Sequence, residues 1–153
     1  RQVSFLFGDW AYISNQLTLW GKSPKTSKLK FPIICLYSPF TEDRSSAETE
    51  VSLEFIIMVN TLKGYSNEDR QKTSFEQVLR PIYNLFLDEI KKDINIVRSY
   101  NEVVPHSYIE NYRYGRGGGI GEDGKPFSDF IDAIEMKNVN LTIKEVKCYG
   151  NRL

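Results

Sequence analysis

Val51-Ser-Leu-Glu-Phe-Ile-Ile-Met-Val-Asn60 is the segment that decides the fold. It begins with alternating apolar and polar residues and then becomes wholly apolar, which is typical of a central strand in a sheet. The earlier run Phe31-Pro-Ile-Ile-Cys-Leu-Tyr37 is also continuously apolar, so we expect a strand that is covered on both faces. The two strands, with the acidic linker Thr41–Glu50 between them, predict a long hairpin.

The strongest helical signal follows this pair, between Ser66 and Asp93. Within it, apolar residues recur at the three- and four-residue spacings of a helix. They are Phe75, Val78, Leu79, Ile82, Leu85, Phe86 and Ile90. Ser74 and Gln77 have the spacing of a capping box. Pro81 lies inside the segment and should kink it, because proline has no amide hydrogen to donate.

A shorter helix precedes the first strand. The chain starts extended near Phe5, Asp9 can cap the helix, and an apolar stripe with helical spacing ends at Trp20. After the long helix, the residue pattern predicts two more strands, at residues 106–114 and 132–149.

Two local features are expected near the last strand. Residues 127–131 resemble one helical turn, and the alternation slips between Met136 and Val139, which predicts a β-bulge near Asn138. We therefore predict one α+β domain over residues 1–153. Its expected architecture is a largely antiparallel four-stranded sheet, with one long and one short helix packed on one face, in the order α-β-β-α-β-β.

The composition excludes some classes of protein. The chain has 153 residues, which suits a single domain, and its 20 basic residues are balanced by 20 acidic ones. Zero net charge argues against a protein that coats nucleic acid, since such binding needs an excess of cations. No apolar run approaches the roughly 18 residues that span a bilayer, so no membrane partner is expected. Cys35 lies in an apolar strand-like run and is expected to be a buried thiol.

A glycine-rich segment carries six of the ten glycines between Gly115 and Gly124. Its part Gly119-Ile-Gly-Glu-Asp-Gly-Lys125 matches GxGxxG and the first seven positions of a phosphate-binding GxxxxGK motif. Pro126 stands where such a loop needs serine or threonine for the magnesium ion, and two acids would face the phosphates. We therefore predict no nucleotide cofactor here, and interpret the segment as a hairpin loop that orders on contact.

Catalytic and metal-binding patterns are weak. His106 is the only histidine, and we expect a strand-edge residue with a backbone partner. One histidine and two distant cysteines give no metal-ligand spacing. Asp129, Asp132 and Glu135 lie close in sequence, but on a turn and a strand their side chains should diverge. The sequence thus predicts no catalytic residue, no metal and no cofactor, and a protein that is not an enzyme.

Charge is segregated around the first predicted strand. Basic residues precede the strand and acidic residues follow it, which is most often a solvated arrangement. The alternative is a heterologous contact, in which the basic loop of one subunit meets the acidic loop of the next and a ring closes. The candidate interface residues are Lys25, Lys28, Lys30, Glu42, Asp43, Glu48 and Glu50.

The strand at 106–114 carries tyrosines on one face, including Tyr112 and Tyr114, with Arg113 and Arg116 close by. Aromatic rings and guanidinium groups can stack on single-stranded nucleic acid. A tyrosine-rich strand face is more often a half-buried sheet surface or a protein interface. Both interpretations make these four residues candidate contact residues.

The order and spacing of several phrases resemble the bacteriophage tail-terminator and head-to-tail joining family (neck and tail-completion proteins), of the type in phages of Bacteroidetes bacteria. The matching phrases together cover roughly residues 7–143. They are Lys30–Phe40, Val59–Leu62, Ser74–Tyr83, Tyr112–Gly115 and Asp132–Asn138.

This resemblance implies a non-enzymatic virion protein that is assembled in the host bacterial cytoplasm. Its partners would be copies of itself, in a ring of six or twelve, and the portal connector and tail proteins. DNA would only pass through the lumen of the ring. The resemblance also implies that the loops at 41–50 and 115–127 contact neighbouring subunits or adjoining rings. The alternative function is a small single-stranded nucleic-acid-binding module that uses the tyrosine strand and the glycine-rich loop.

Overall fold

The computed structural model describes residues 2–97, 103–114 and 129–144, with only the backbone at 113 and 114. The strands are β1 (Ser4–Gly8), β2 (Ile33–Tyr37), β3 (Thr41–Asp43), β4 (Glu48–Asn60), β5 (Ser107–Tyr114) and β6 (Ile131–Lys144). The helices before β2 are α1 (Trp10–Gly21) and α2 (Pro24–Ser27). The long helical segment after β4 consists of α3 (Asn67–Arg70), the π-helix π1 (Gln71–Leu79) and α4 (Arg80–Lys92).

The strands form one six-stranded mixed sheet in the order β1-β2-β4-β6-β5, with β3 pairing to β4. The expectation of a largely antiparallel four-stranded sheet is therefore wrong. The hairpin of β2 and β4 is confirmed, with Ile34 opposite Ile57. The linker between them contains β3, whose Glu42 pairs with Val51 of β4. The one parallel pair is β1 with β2, in the register Leu6 to Cys35.

The two additional strands escaped sequence analysis for different reasons. β1 has only five residues, so the sequence pattern near Phe5 indicates an extended start before α1 but no separate strand. β3 has three residues, Thr-Glu-Asp, and all of them are exposed, so its composition resembles that of a loop. Pairing with a neighbouring strand, which composition does not reveal, makes each of them part of the sheet.

Helices cover the sheet on both faces, so the expectation that they lie on one face is also wrong. On one face, Phe55, Ile57 and Val59 of β4 pack with Phe75 and Leu79 of π1 in a buried cluster. On the other face, α1 contributes its own apolar residues to a second cluster with β1, β2, β4 and β6. Its fully buried members include Ile13, Leu17, Ile33, Ile56 and Met58.

The start of α1 follows the sequence prediction. The Asp9 carboxylate accepts a hydrogen bond from the Tyr12 amide at 2.8 Å, which caps the helix. Gly8 ends β1 immediately before this cap. A Cβ atom at Gly8 would lie 2.5 Å from the Tyr12 ring, so glycine permits the close approach of the strand end to the helix.

The long helical segment differs from the predicted helix at its cap and near its proline. The capping box is formed by Ser66 and Asp69 and not by Ser74, which lies inside the segment. The disruption expected at Pro81 takes the form of the π-helix that precedes it. There the Arg80 amide donates to the Phe75 carbonyl, five residues back, and the next residue is the proline without an amide hydrogen.

The last strand contains the predicted bulge. β6 has one extra residue between Val139, which faces Leu53, and Met136, which faces Phe55. Asn138 lies in this interval with a φ of 53°, a left-handed conformation that asparagine tolerates. The bulge near Asn138 is thus confirmed, while residues 145–149 of the predicted strand lie outside the described residues.

The predicted helical turn at 127–131 overlaps the start of this strand. Asp129 and Phe130 are irregular, and Ile131 already begins β6. No helical turn therefore occurs at 129–131, and residues 127 and 128 lie outside the described part of the chain.

A buried ionic cluster joins the long helical segment to the start of β6. The Arg70 guanidinium lies 2.7 Å from one carboxylate oxygen of Asp132, and the Ser74 hydroxyl donates to the other oxygen at 2.8 Å. Arg70 also donates to the backbone carbonyls of Leu62 and Tyr65. Arg70 and Asp132 are completely buried, so each charge depends on the other for compensation.

We expect Asp132→Asn to destabilise the protein by about 3–5 kcal/mol, because the buried Arg70 charge loses its counter-charge. The free energy of unfolding from urea denaturation measures this effect. Asp88→Asn, at an exposed position of α4, is the control and should change the free energy of unfolding by less than about 0.5 kcal/mol. Equal effects of the two substitutions would contradict a stabilising role for the buried pair.

Candidate interaction surface

The aromatic strip, defined here as Phe5, Phe7 and Phe40, is an exposed apolar feature at the β1 edge of the sheet. These side chains are 57%, 49% and 37% exposed. The Phe7 and Phe40 ring centroids lie 6.0 Å apart, so the strip is continuous from β1 to the residue before β3. Exposed aromatic groups of this size, adjacent to one another, are typical of protein-interaction surfaces.

The position of the strip follows from the alternation of side chains along β1. Leu6 points to the face covered by α1 and is buried. Its neighbours Phe5 and Phe7 therefore point to the opposite face, where they align with Ile34 and Leu36 of β2. The buried cluster on that face is built from β4, β6, the long helical segment and Val104, and β1 contributes nothing to it. Among the described residues, none therefore covers the outer part of this face.

Basic residues lie at the end of the strip where β1 begins. Lys25 and Lys28 are exposed, as residues that contact a partner must be. Lys30 is different, because it is 6% exposed, forms an ion pair with Asp129, and places its ammonium group 5.5 Å from the Phe31 ring centroid. The structure therefore separates Lys30 from the two exposed lysines.

Acidic residues lie at the other end of the strip. Glu42, Asp43, Glu48 and Glu50 are all exposed on the hairpin of β3 and β4. Asp43 and Glu50 face each other across the two strands, an arrangement of like charges that does not stabilise a hairpin. Hydrogen bonds from Ser45 lower the pKa of Asp43, which therefore remains ionised.

A groove of about 660 Å³ lies beside this acidic hairpin, under the end of α4. The apolar residues Val51, Val104 and Leu141 form part of its lining. Its rim carries Asp43 and Glu50 on the hairpin, and Asp88, Lys91 and Lys92 on α4. Fixed charges of both signs around an apolar floor suit the binding of a polypeptide segment better than acid–base chemistry.

The tyrosine strand packs against the long helical segment. The centroids of the Tyr112 and Phe75 rings lie 4.7 Å apart, and the Tyr112 hydroxyl hydrogen-bonds to Gln71. The Tyr108 ring lies 4.8 Å from the Tyr83 ring. Burial raises the pKa of Tyr112 and is also the main cause of the raised pKa of Tyr108, so both phenols stay protonated at neutral pH.

Two of the candidate residues on this strand lack described side chains. The backbone of Arg113 and Tyr114 belongs to β5, after a register shift that begins at Asn111. Arg116 and the glycine-rich segment lie outside the described residues. The described part of the tyrosine strand includes the exposed Tyr108 and the partly buried Tyr112, and both are packed and hydrogen-bonded within the chain.

His106 has the backbone partner that the sequence analysis expected. Its Nδ1 lies 2.7 Å from the Val104 carbonyl oxygen, and its Nε2 lies 2.8 Å from the Tyr83 hydroxyl. Because a carbonyl only accepts, Nδ1 carries the proton and Nε2 accepts from the tyrosine. Both ring nitrogens therefore serve the packing of β5 against α4.

The three acids near the last strand diverge, as predicted. Asp129 pairs with Lys30, Asp132 pairs with Arg70, and Glu135 accepts from Asn111. Within residues 2–97, 103–114 and 129–144, no three histidine, cysteine or acidic side chains are grouped in a way that could hold a metal ion. Burial raises the pKa of Cys35 to about 12 and confirms the expected buried thiol.

None of the described helices is both long and apolar enough to cross a membrane. Comparison of the chain with protein-family models, with curated proteins and with solved structures found no match. The functional interpretation therefore depends on the surface of this chain itself. On that surface, the exposed Lys25, Lys28 and hairpin acids are candidates that the sequence predicts. The aromatic strip is not predicted from the sequence.

The sequence contained a signal for the strip, but an ambiguous one. Phe5, Leu6 and Phe7 are all apolar, so alternation could not distinguish the buried side chain from the two exposed ones. The layer geometry shows that α1 covers Leu6 and that no described element packs on the opposite face of β1.

The ion pair between Arg80 and Glu110 predicts a pH-dependent stability. The Arg80 guanidinium, at 2.7 and 3.1 Å from the two carboxylate oxygens, lowers the pKa of Glu110. A lowered pKa in the folded state contributes stability above the ordinary glutamate pKa of about 4.3, and this contribution is lost as the pH falls through the folded-state value.

We therefore expect Glu110→Gln to lower the melting temperature by roughly 2–4 °C at neutral pH. The difference from wild type should shrink as the pH falls below about 4.3 and vanish only below the lowered folded-state pKa of Glu110. Thermal unfolding followed by circular dichroism between neutral and acid pH measures it. Glu76→Gln, at an exposed position on the same helical segment, should show no such pH-dependent difference. A constant difference for Glu110→Gln at every pH would contradict the ionic explanation.

Proposed function

We propose that this chain is a structural subunit that works by self-assembly and not by catalysis. The observation that carries the proposal is the aromatic strip on the uncovered edge of the sheet. An apolar surface of this kind is unfavourable in water, and its burial by a partner would contribute roughly 25 cal/mol per Å² of apolar area. Exposed charges of opposite sign at its two ends add orientation to such a contact.

The setting we propose is the neck or tail of a bacteriophage virion, as the resemblance of the sequence implies. In that setting the chain forms a ring of six or twelve copies that joins or completes the tail at the portal connector. Its partners are other copies of itself, the connector and the tail proteins, and DNA passes through the lumen. Support comes from the exposed aromatic strip and from the exposed acidic hairpin, since a negatively charged surface would not retain DNA.

Single-stranded nucleic-acid binding is the alternative function that the experiments must distinguish from self-assembly. It requires tyrosine rings free to stack on bases. Tyr112 is instead packed on Phe75 and hydrogen-bonded to Gln71, and Tyr108 is packed on Tyr83 and donates to Glu110. The described tyrosines of β5 therefore favour a structural role for that strand.

We expect the purified chain to form a homo-oligomer, and Phe5→Ser/Phe7→Ser to dissociate it. Each substitution removes an exposed aromatic ring and leaves the buried core unchanged, so the fold should persist by circular dichroism. Light scattering coupled to size-exclusion chromatography gives the mass, and negative-stain microscopy shows whether rings form. Leu85→Ser is the matched control, because Leu85 is an exposed apolar residue on α4, away from the strip.

Two outcomes would contradict the proposal. The first is a wild-type chain that remains monomeric at high protein concentration and does not bind the connector. The second is salt-dependent binding of a fluorescently labelled single-stranded oligonucleotide that Arg113→Ala weakens, which would favour the nucleic-acid alternative.

A further inference from the structure

We propose that two copies of this chain pair through β1, antiparallel and across a two-fold axis, so that their sheets join edge to edge. The inference rests on the proposed function only in assuming self-assembly, and it assigns the contact surface and its symmetry. A strand at the edge of a sheet presents unpaired backbone groups that can hydrogen-bond to a strand of another molecule. In the described residues, β1 is such a strand, because it pairs only with β2.

β1 lacks the features that normally protect an edge strand. Natural proteins block exposed edges with charged residues, prolines or bulges. The residues of β1 are Ser-Phe-Leu-Phe-Gly, without a charge or a proline, and its register with β2 is regular along its whole length. Two of its three apolar side chains are also about half exposed. An edge of this composition favours pairing with another chain.

The other edge of the sheet, β5, does show this protection. It carries Glu110 in an ion pair with Arg80, and its register with β6 shifts between Asn111 and Tyr114. A bulge and charged residues discourage the addition of another strand. The contrast between the two edges indicates that β1 pairs with a second β1 and not with β5.

The charges at the two ends of β1 determine the orientation. The Ser4 hydroxyl donates to the Leu29 carbonyl at 2.5 Å, which fixes the segment with Lys25 and Lys28 at the start of β1. The contact of Phe7 with Phe40 fixes the acidic hairpin at the other end. In an antiparallel pair, the basic end of each copy meets the acidic end of the other, so opposite charges face each other twice.

The alternative pairing of β1 with β5 of the next copy fits the charges less well. The β1–β2, β2–β4, β4–β6 and β6–β5 registers place the start of β1 and the end of β5 at the same end of the sheet. A head-to-tail contact in one sheet would then bring Lys28 toward the end of β5 that contains Arg113. The basic segment of one copy would then not meet the acidic hairpin of the other, so the opposite charges would stay unmatched. A two-fold contact is closed, so a ring of six or twelve chains would need a second, different contact between such dimers.

Charge reversal tests which ends meet. Lys25→Glu/Lys28→Glu and Glu42→Lys/Asp43→Lys each place like charges at both junctions of the pair, and each should raise the dimer dissociation constant about tenfold or more. An equimolar mixture of the two variants should restore wild-type affinity in a one-to-one complex, measured by sedimentation velocity. Lys63→Glu/Lys72→Glu has the same charge change, at exposed positions before and within the long helical segment, and should leave the dissociation constant unchanged.

Cysteine cross-linking tests the symmetry. Phe5→Cys and Phe7→Cys are each prepared in a Cys148→Ser background. Each variant is oxidised alone, and an equimolar mixture of the two is oxidised as the third sample. A two-fold antiparallel pair brings position 5 next to its own equivalent, position 7 next to its own equivalent, or position 5 next to position 7. A covalent dimer in at least one of the three samples is the expected result, since a head-to-tail contact does not bring β1 against β1.

The outcomes separate this inference from the proposed function. Suppose that the wild-type chain forms oligomers, but no cysteine sample gives a covalent dimer and charge reversal has no effect. This result would overturn the pairing through β1 and leave self-assembly intact. A strictly monomeric wild-type chain would overturn both. The substituted positions on β1, the basic segment, the acidic hairpin and the control are exposed, and unchanged circular dichroism spectra verify that the variants are folded.

Discussion

The structure depends on one constraint, the wholly apolar half of β4. Successive side chains of a strand point to opposite faces, so Phe55, Ile57 and Val59 need cover on one face while Ile56 and Met58 need it on the other. The long helical segment satisfies the first requirement, and α1 satisfies the second. Because α1 connects β1 to β2 as a crossover, the second cover also brings β1 into the sheet, parallel to β2.

The interaction surface is a consequence of the same geometry. The long helical segment packs its apolar residues over the middle of the sheet, and the buried ion pair of Arg70 and Asp132 fixes it to the start of β6. It therefore does not extend over β1. Phe5 and Phe7 occupy strand positions that would be core if another layer lay above them. In the proposed pair, Phe5 and Phe7 of the second copy would lie beside them on the same face of the joined sheet.

Much of the fold was predictable from local pattern. The cap at Asp9, the apolar run of β4 and the bulge at Asn138 are each encoded within a few neighbouring residues, and the structure contains all three. The number of strands was not predictable in this way, since β1 and β3 are too short to carry a periodic signal. The continuous apolarity of β2 and β4 implied cover on both faces, which the predicted one-sided arrangement of helices could not provide.

The candidate site was predictable in its charges and not in its apolar part. Exposed lysines and acids are recognisable from composition, but Lys30 shows the limit of that argument. It belongs to the same basic segment as Lys25 and Lys28, yet it is buried against Phe31 and paired with Asp129, which lies 99 positions away in the chain. Arg70 is a similar case, because its partner Asp132 lies on a distant strand.

The charged residues behind the zero net charge include two groups that act differently. Buried pairs such as Arg70 with Asp132 cancel within the subunit and stabilise its fold. A second group of exposed charges is separated along the β1 edge, with Lys25 and Lys28 at one end and the acidic hairpin at the other. Such a separation gives the edge a dipole, which a second copy in the antiparallel orientation would cancel in full. A closed two-fold contact leaves no unmatched end, whereas a head-to-tail contact leaves both outer ends unmatched until a ring closes.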